Sequence, residues 1–93
     1  MENYPHLSRA LARVLSRRRA ELSMSKKKLS EEAMIARVHI THLEEGIKSP
    51  SMNAVFYLCD ALGVAPSEFV ADVQAEMEKI KAEKTKSSPR RRA

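Results

Sequence analysis

A chain of 93 residues, 43% of them hydrophobic, is long enough for one small domain with a modest core. Its four aromatic residues and two glycines favour packed aliphatic helices over a β-sheet. No apolar run approaches about 18 residues and the first residues form no apolar secretory segment, so we expect neither a membrane span nor a signal peptide. The single cysteine, Cys59, cannot form an internal disulfide, which favours a reducing, cytoplasmic location.

The net charge of +5 is unevenly distributed along the chain. Residues 1–48 hold ten Lys/Arg against six Asp/Glu, residues 49–84 hold three against six, and residues 85–93 hold four against none. A basic region is the electrostatic footprint expected of a protein that binds a polyanion. The front half and the tail are therefore the segments in which a nucleic-acid contact is expected.

The first predicted helix begins at Pro5 or His6, because proline suits the first turn of a helix, and ends near Glu21. Residues with the helical period form its core-facing stripe: Leu7, Ala10, Leu11, Val14, Leu15 and Leu22. Four arginines lie off this stripe and are expected to face water or a partner: Arg9, Arg13, Arg17 and Arg18.

Two short helices joined by a tight turn are predicted between Ser25 and Gly46. Ser25 is the N-cap of the first, from about residue 26 to 33, and the second runs from about residue 37 to 45 before Gly46 stops it. The apolar positions that bury one stripe on each helix and fill the corner between them are Leu29, Ala33, Ile35, Ile40 and Leu43.

Three lysines, Lys26 to Lys28, occupy the first turn of the first short helix. Positive charge there opposes the helix macrodipole by roughly 0.3–1 kcal/mol per charge, so the arrangement does not favour the folded state by itself. Phosphate, which helix N-termini bind readily, would supply the missing negative charge. A solvated lysine face is the alternative, and the triplet alone does not decide between the two.

A long spaced pattern runs through this segment and continues beyond it. It reads Ser25-x3-Leu29-x3-Ala33-x-Ile35-x4-Ile40-x2-Leu43-Glu44-x-Gly46, then Pro50-Ser51, Ala61-Leu62-Gly63-Val64 and Pro66-Ser67-Glu68-Phe69. The pattern resembles the lambda-repressor-like helix-turn-helix family, the Cro and phage-repressor class of XRE-type transcriptional regulators. It covers about residues 7–70, and its combined spacing is far more specific than any single short motif. Met34 departs from the usual turn glycine, and Ala36 from the usual Ser or Thr cap.

The resemblance implies that the second short helix reads the major groove of double-stranded DNA. Its base-contacting residues would be Arg37, suited to guanine, Val38, suited to a thymine methyl group, and His42, with His39 and Thr41 nearer the groove walls. Two helix N-termini would supply the phosphate contacts: Lys26, Lys27, Lys48, Ser51 and the backbone amide of Met52. The resemblance also implies an ion pair between Arg19 and Glu44, for which two independent surface charges are the alternative.

A fourth helix is predicted from about residue 52 to 62, with Ser51 as its N-cap and Gly63 at its end. Its predicted buried stripe is Met52, Val55, Leu58, Cys59 and Leu62. The last helix begins near Pro66 or Ser67, and Phe69 is expected to dock into the core.

The last helix is predicted to continue to about Lys84, which is longer than a five-helix bundle needs. Its apolar residues Val70, Val73, Met77 and Ile80 have the 3-4-3 spacing of a heptad, and we interpret them as a dimer interface. Packing back on the same domain is the alternative, because fewer than three heptads indicate a coiled coil only weakly. The basic tail, residues 85–93, has nothing to bury and is expected to be disordered.

Other chemistries find little support in the sequence. His39 and His42 are three residues apart, a spacing that can hold a metal, but no further ligand lies at a supporting spacing. Adjacent acids such as Glu31-Glu32 point to different helix faces and do not form a catalytic pair. No nucleophile set or nucleotide fingerprint is present. We therefore expect no enzyme activity, no cofactor, no metal and no small-molecule ligand.

The predicted protein is all-α, a five-helix lambda-repressor-like domain over residues 1–84 with an extended C-terminal helix, followed by the tail. Its predicted function is sequence-specific binding of double-stranded DNA by a small stand-alone repressor or controller. It would act as a homodimer on a near-palindromic operator. The alternative is a protein-interaction or bridging module, or an antitoxin-type autoregulator in a larger complex. The polar surface of the second short helix favours DNA over a protein dock.

Overall fold

The computed structural model describes residues 3–86, which contain five helices and no strand. The helices are α1 (Leu7–Glu21), α2 (Lys26–Ala33), α3 (Arg37–Glu44), α4 (Met52–Leu62) and α5 (Pro66–Lys86). The all-α, five-helix class predicted from the sequence is confirmed. Of the tail, residues 85 and 86 continue α5, and residues 87–93 lie outside the described part of the chain.

Short-range chemistry accounts for most helix ends. The Ser25 hydroxyl accepts a hydrogen bond from the Lys28 amide at 3.0 Å, and the Ser51 hydroxyl accepts one from the Ala54 amide at 3.1 Å. Both serines therefore cap their helices by satisfying one orphan amide. Gly63, with φ of +69°, ends α4 in the left-handed region that side chains disfavour.

Two further helix boundaries differ from the sequence prediction. α1 begins at Leu7, because His6 takes a left-handed conformation with φ of 67° and is the N-cap. α1 then ends at Glu21, so Leu22, expected to face the core, has left the helix and is half-exposed. α3 ends at Glu44, one residue earlier than predicted, before the left-handed Gly46.

α1 is the central element of the core. It packs against both α3 and α5, and α2 packs against both α3 and α4. The largest fully buried side chains are Phe69, Leu15, Leu29, Ile40, Leu43, Leu58 and Ile80. Cys59 is buried among them, and its burial raises the pKa of the thiol, so this cysteine is a core residue.

The apolar stripe of α5 packs mainly on its own domain. Val73 and Ile80 are buried and Met77 packs against the core, whereas Val70 is 49% exposed. The interpretation of the whole stripe as a surface for a second copy is therefore wrong for Val73, Met77 and Ile80. The reason is that α5 packs against α1, which provides the apolar surface that we expected a second chain to provide.

The buried stripe of α4 also requires a correction. Met52 is 70% exposed, because it is the first residue of α4 and precedes the turn that lies on the core. Within residues 3–86, no single helix is long and apolar enough to cross a membrane, and residues 52–62 and 66–84 pass that test only as a pair bent by 104°.

Candidate nucleic-acid interface

α3 presents one buried and one open face. Ile40 and Leu43 are fully buried and fix the helix against the core. Arg37 and Val38, the first two residues of the helix, are exposed. His39, Thr41 and His42, the remaining predicted base-contacting residues, are half-buried, so their side chains are only partly accessible. The five predicted residues thus share one short helix, with the two most accessible at its N-terminus.

The turn before α3 is built without the usual residues. Met34 is the C-cap of α2 and lies in the left-handed region, with φ of 58° and ψ of 40°. Ala36 is the N-cap of α3 and provides no side-chain hydrogen bond. The first amides of α3 are therefore not capped by the N-cap side chain, and a ligand can reach them.

The three lysines of α2 are not equivalent. Lys28 forms an ion pair with Glu32, one turn along the same helix, with 3.2 Å between Nζ and Oε2. Lys26 is half-buried and Lys27 exposed, and neither forms an ion pair with any residue from 3 to 86. The free positive charge at this helix N-terminus therefore belongs to Lys26 and Lys27.

A second polar helix N-terminus belongs to α4. Lys48, Ser51 and Met52 are exposed there, and the Ser51 hydroxyl occupies only one of the first amides. Because α2 packs against both α3 and α4, the fold joins the elements that carry the predicted phosphate-contacting and base-contacting residues.

An ion pair anchors α3 to α1. Arg19 Nε donates to Glu44 Oε2 at 2.7 Å and Nη2 donates to Oε1 at 2.8 Å, a bidentate geometry. The Ser16 hydroxyl also donates to Glu44 at 3.0 Å, and Arg19 reaches the Met24 carbonyl at 2.9 Å. Hydrogen bonding to Glu44 raises the pKa of Arg19, so the guanidinium keeps its charge. The pair that the resemblance implied is present, and it is largely buried.

Three other arginines of α1 pair with α5. Arg13 and Arg17 each donate to the buried carboxylate of Glu76 at 3.1 Å, and Arg18 Nε donates to Asp72 at 3.0 Å. Burial alone would raise the pKa of Glu76, but the hydrogen bonds from the two arginines outweigh it and lower that pKa. These arginines are therefore neutralised within the domain.

The predicted DNA-contacting cations differ from these paired arginines. Among the described residues, the predicted DNA-contacting cations Lys26, Lys27, Arg37 and Lys48 form no ion pair. The partner of these α1 arginines was not predicted from the sequence. The spacing that could have indicated it is the same in both helices, because Asp72 and Glu76 are four residues apart on α5 and Arg13 and Arg17 are four apart on α1.

Comparison with known families decides the class of protein. The helix-turn-helix family model HTH_3 matches residues 15–69, more than half of the chain. The chain belongs to this helix-turn-helix family. It is a DNA-binding transcription regulator of the XRE type, as the sequence predicted. The matched region contains α2, α3 and α4 entirely, so the family assignment and the interface rest on the same residues.

Solved structures of similar fold are also regulators. The clp gene regulator ClgR from Corynebacterium glutamicum matches with a TM-score of 0.82 and 24% identity, over 89% of this chain and 88% of that chain. A second ClgR structure matches with 0.72 and 26%, over 80% and 96%. The restriction-modification controller protein C.Esp1396I, as a tetramer in complex with its natural 35 base-pair operator, matches with 0.71 and 18%, over 82% and 97%. No curated protein sequence matches the chain significantly.

Proposed function

We propose that this regulator binds double-stranded DNA sequence-specifically, with α3 in the major groove and the N-termini of α2 and α4 on the flanking phosphates. The observation that supports this most is the distribution of charge. Three arginines of α1 pair with α5, whereas the predicted DNA-contacting cations pair with no described residue: Lys26, Lys27, Arg37 and Lys48. Basic residues without an internal partner suit phosphates and guanine edges. We further propose a non-catalytic cytoplasmic protein, acting as a small repressor or controller.

Arg37 is the proposed reader of a guanine. It is exposed at the first position of α3, from which a guanidinium can donate two hydrogen bonds to guanine O6 and N7. The operator is first defined by selecting bound duplexes from a random pool. Arg37→Ala should then cost about 1–3 kcal/mol of specific binding and relax preference at one base pair. An equal loss on operator and random DNA would assign Arg37 to phosphate instead.

Lys26 and Lys28 form a matched pair for testing the phosphate contacts. Lys26→Gln should weaken binding to all sequences alike and lower the salt slope by about 1. Lys28→Gln removes the same charge from the same turn, but Lys28 already pairs with Glu32. The salt dependence of DNA binding should therefore change little in this variant. Equal changes in the two variants would show only a general effect of net charge.

We propose that the regulator reads its operator as a homodimer. One half-site discriminates poorly, because each mismatch is worth only about 1–3 kcal/mol. Two copies placed about 34 Å apart would read a near-palindromic site. The operator-bound tetramer of C.Esp1396I shows that a protein of this fold assembles on DNA.

The proposed contact with a second copy is smaller than the whole α5 stripe. Val70, the one exposed member of the α5 stripe, lies on an apolar groove of about 170 Å³ between α1, the start of α4 and α5. We propose that the dimer covers this groove. Val70→Glu should convert a sedimenting dimer into a monomer, whereas Leu22→Glu, another half-exposed apolar position, should not. A wild-type monomer at tens of micromolar, or an unaffected Val70→Glu dimer, would contradict this interface.

A further inference from the structure

The start of α1 contacts the loop between α3 and α4 at two points. A Cβ placed on Gly46 would lie 3.9 Å from the Arg9 Cα and 3.7 Å from the Ser8 carbonyl oxygen, so the loop lies against the first turn of α1. Three residues later, the Ser8 and Ser49 hydroxyls form a hydrogen bond of 2.9 Å. Lys48, a predicted phosphate contact, lies between these two points of the loop.

Arg9 is an exposed cation at this junction. Unlike Arg13, Arg17 and Arg18 further along α1, it forms no ion pair with residues 3–86. It lines an open cleft of about 390 Å³ together with Gly46, and the described residues in the wall of that cleft include no Asp or Glu. The positive charge of Arg9 is therefore not neutralised by the described part of the chain.

The neighbours of Arg9 indicate an anion as its partner. Lys48 is also exposed and forms no ion pair among the described residues. It follows Gly46 by two residues, a distance of about 7 Å at most along an extended chain. Two unpaired cations on adjoining segments repel each other, and a negatively charged ligand relieves that repulsion. The proposed function brings one such ligand, the DNA backbone, to the loop that carries Lys48.

We propose that Arg9 is a further phosphate-binding residue, which contacts the DNA backbone beside the phosphate of Lys48. This inference rests on the proposed function, because it requires the start of α4 and the loop before it to lie on the DNA. A guanidinium suits the contact, since it donates two parallel hydrogen bonds to phosphate oxygens.

This contact extends the DNA interface to α1. Arg9 precedes residues 15–69, which the family model matches, so membership of the family does not assign it a role. The hydrogen bond between Ser8 and Ser49 ties the first turn of α1 to the loop, and it thereby keeps the segments of Arg9 and Lys48 together. The two cations are therefore expected to contact neighbouring phosphates of one strand.

The salt dependence of DNA binding tests the contact. The full 93-residue chain is titrated onto the selected operator by fluorescence anisotropy, from about 50 to about 200 mM salt. Each phosphate contact contributes about 0.9 to the slope of log affinity against log salt concentration. Arg9→Gln should therefore lower the slope by about 0.9. Its loss of affinity relative to wild type should then be about three- to fourfold smaller at the higher salt concentration than at the lower.

Two control variants separate a contact from a general effect of charge. Lys79→Gln removes the same charge from an exposed position of α5, outside the predicted contact set, and should leave the slope unchanged. Arg9→Lys keeps the positive charge and should keep the wild-type slope. An unchanged slope in Arg9→Gln, or an equal fall in Lys79→Gln, overturns the proposal. A slope in Arg9→Lys as low as that in Arg9→Gln overturns a contact made through charge.

Neutral phosphate analogues locate the contact on the DNA. Each operator phosphate is replaced in turn by methylphosphonate, which removes its charge, and affinity is measured for wild type, Arg9→Gln and Lys48→Gln. We expect one phosphate whose replacement weakens binding by wild type but not by Arg9→Gln, and another that depends on Lys48 in the same way. The two should lie within about three phosphates on one strand, since these are spaced about 3.4 Å apart along the helix axis.

The outcomes of this mapping are distinct. Sensitivity that persists in Arg9→Gln at every phosphate overturns the proposal, and an Arg9-dependent phosphate on the opposite strand overturns its place beside Lys48. Failure of the proposed function gives another result, because no duplex would then be enriched from the random pool. Failure of this inference alone leaves selective binding and the Lys48-dependent phosphate intact, whereas Arg9→Gln binds as wild type does.

Discussion

The Arg19–Glu44 ion pair should contribute far more than a surface pair to the stability of the domain. The Arg19 side chain is 19% exposed and that of Glu44 5%, and four hydrogen bonds converge on the two groups. Exposed pairs are worth about 0–1 kcal/mol. Removing one partner of a fully buried pair costs about 3–5 kcal/mol, because the other charge is left buried without compensation.

The substitution Arg19→Met removes the guanidinium and keeps most of the aliphatic stem. It leaves the Glu44 carboxylate with the Ser16 hydroxyl as its one remaining partner among the described contacts. Since Arg19 itself is partly exposed, we expect a loss between the two limits, about 2–3 kcal/mol. For a domain of this size that lowers the melting temperature by roughly 10–20 °C.

Urea denaturation followed by far-ultraviolet circular dichroism measures this loss without adding salt. Arg9→Met is the matched control, because Arg9 is exposed on the same helix and forms no ion pair with the described residues. This substitution should change the free energy of unfolding by less than about 0.5 kcal/mol. The double variant Arg19→Met, Glu44→Leu should be more stable than the sum of the single losses predicts. An Arg19→Met loss equal to that of Arg9→Met, or strict additivity, would refute the reasoning.

Three further predictions concern stability. The pKa of Glu76 is lowered in the folded chain, so the ionised carboxylate stabilises the fold fully above its unfolded pKa, and this stability is lost as the pH falls through the folded pKa. The difference in unfolding free energy between wild type and Glu76→Gln should therefore shrink between about pH 5 and pH 3 in urea unfolding. A difference that stays constant over this range would contradict the prediction. Ile80→Ala, at a fully buried site, should cost about 2–4 kcal/mol by the same assay, and a negligible loss would show that the end of α5 is not packed on the core. Met34→Gly should raise the melting temperature by a few degrees, because it relieves a left-handed side chain, and a lower melting temperature would mean that the unfolded-state entropy of glycine outweighs that relief.

Local sequence determined the helix-turn-helix and its accessible residues. Ser25 and Ser51 mark helix starts through their own hydroxyls, and Gly46 and Gly63 mark helix ends through their left-handed backbones, so the predicted bounds of α2 and α4 match the structure. These signals act within one turn of the chain and need no tertiary partner. The exposed position of Val38 followed from helical periodicity, since Ile40 and Leu43 fix which face of α3 is buried.

Tertiary structure decided what covers each remaining surface. The 3-4-3 spacing of the α5 stripe identifies an apolar face. The same spacing is expected whether a second chain or α1 covers that face, because periodicity carries no information about the partner. The structure packs α1 against α5, where Val73 and Ile80 are buried, and pairs arginines of α1 with Asp72 and Glu76, which lie 54 to 63 residues away in the chain. Only chain folding could bring these groups together. That pairing neutralises three arginines of α1, whereas the predicted DNA-contacting cations of the helix-turn-helix and of the loop after it form no ion pair with the described residues.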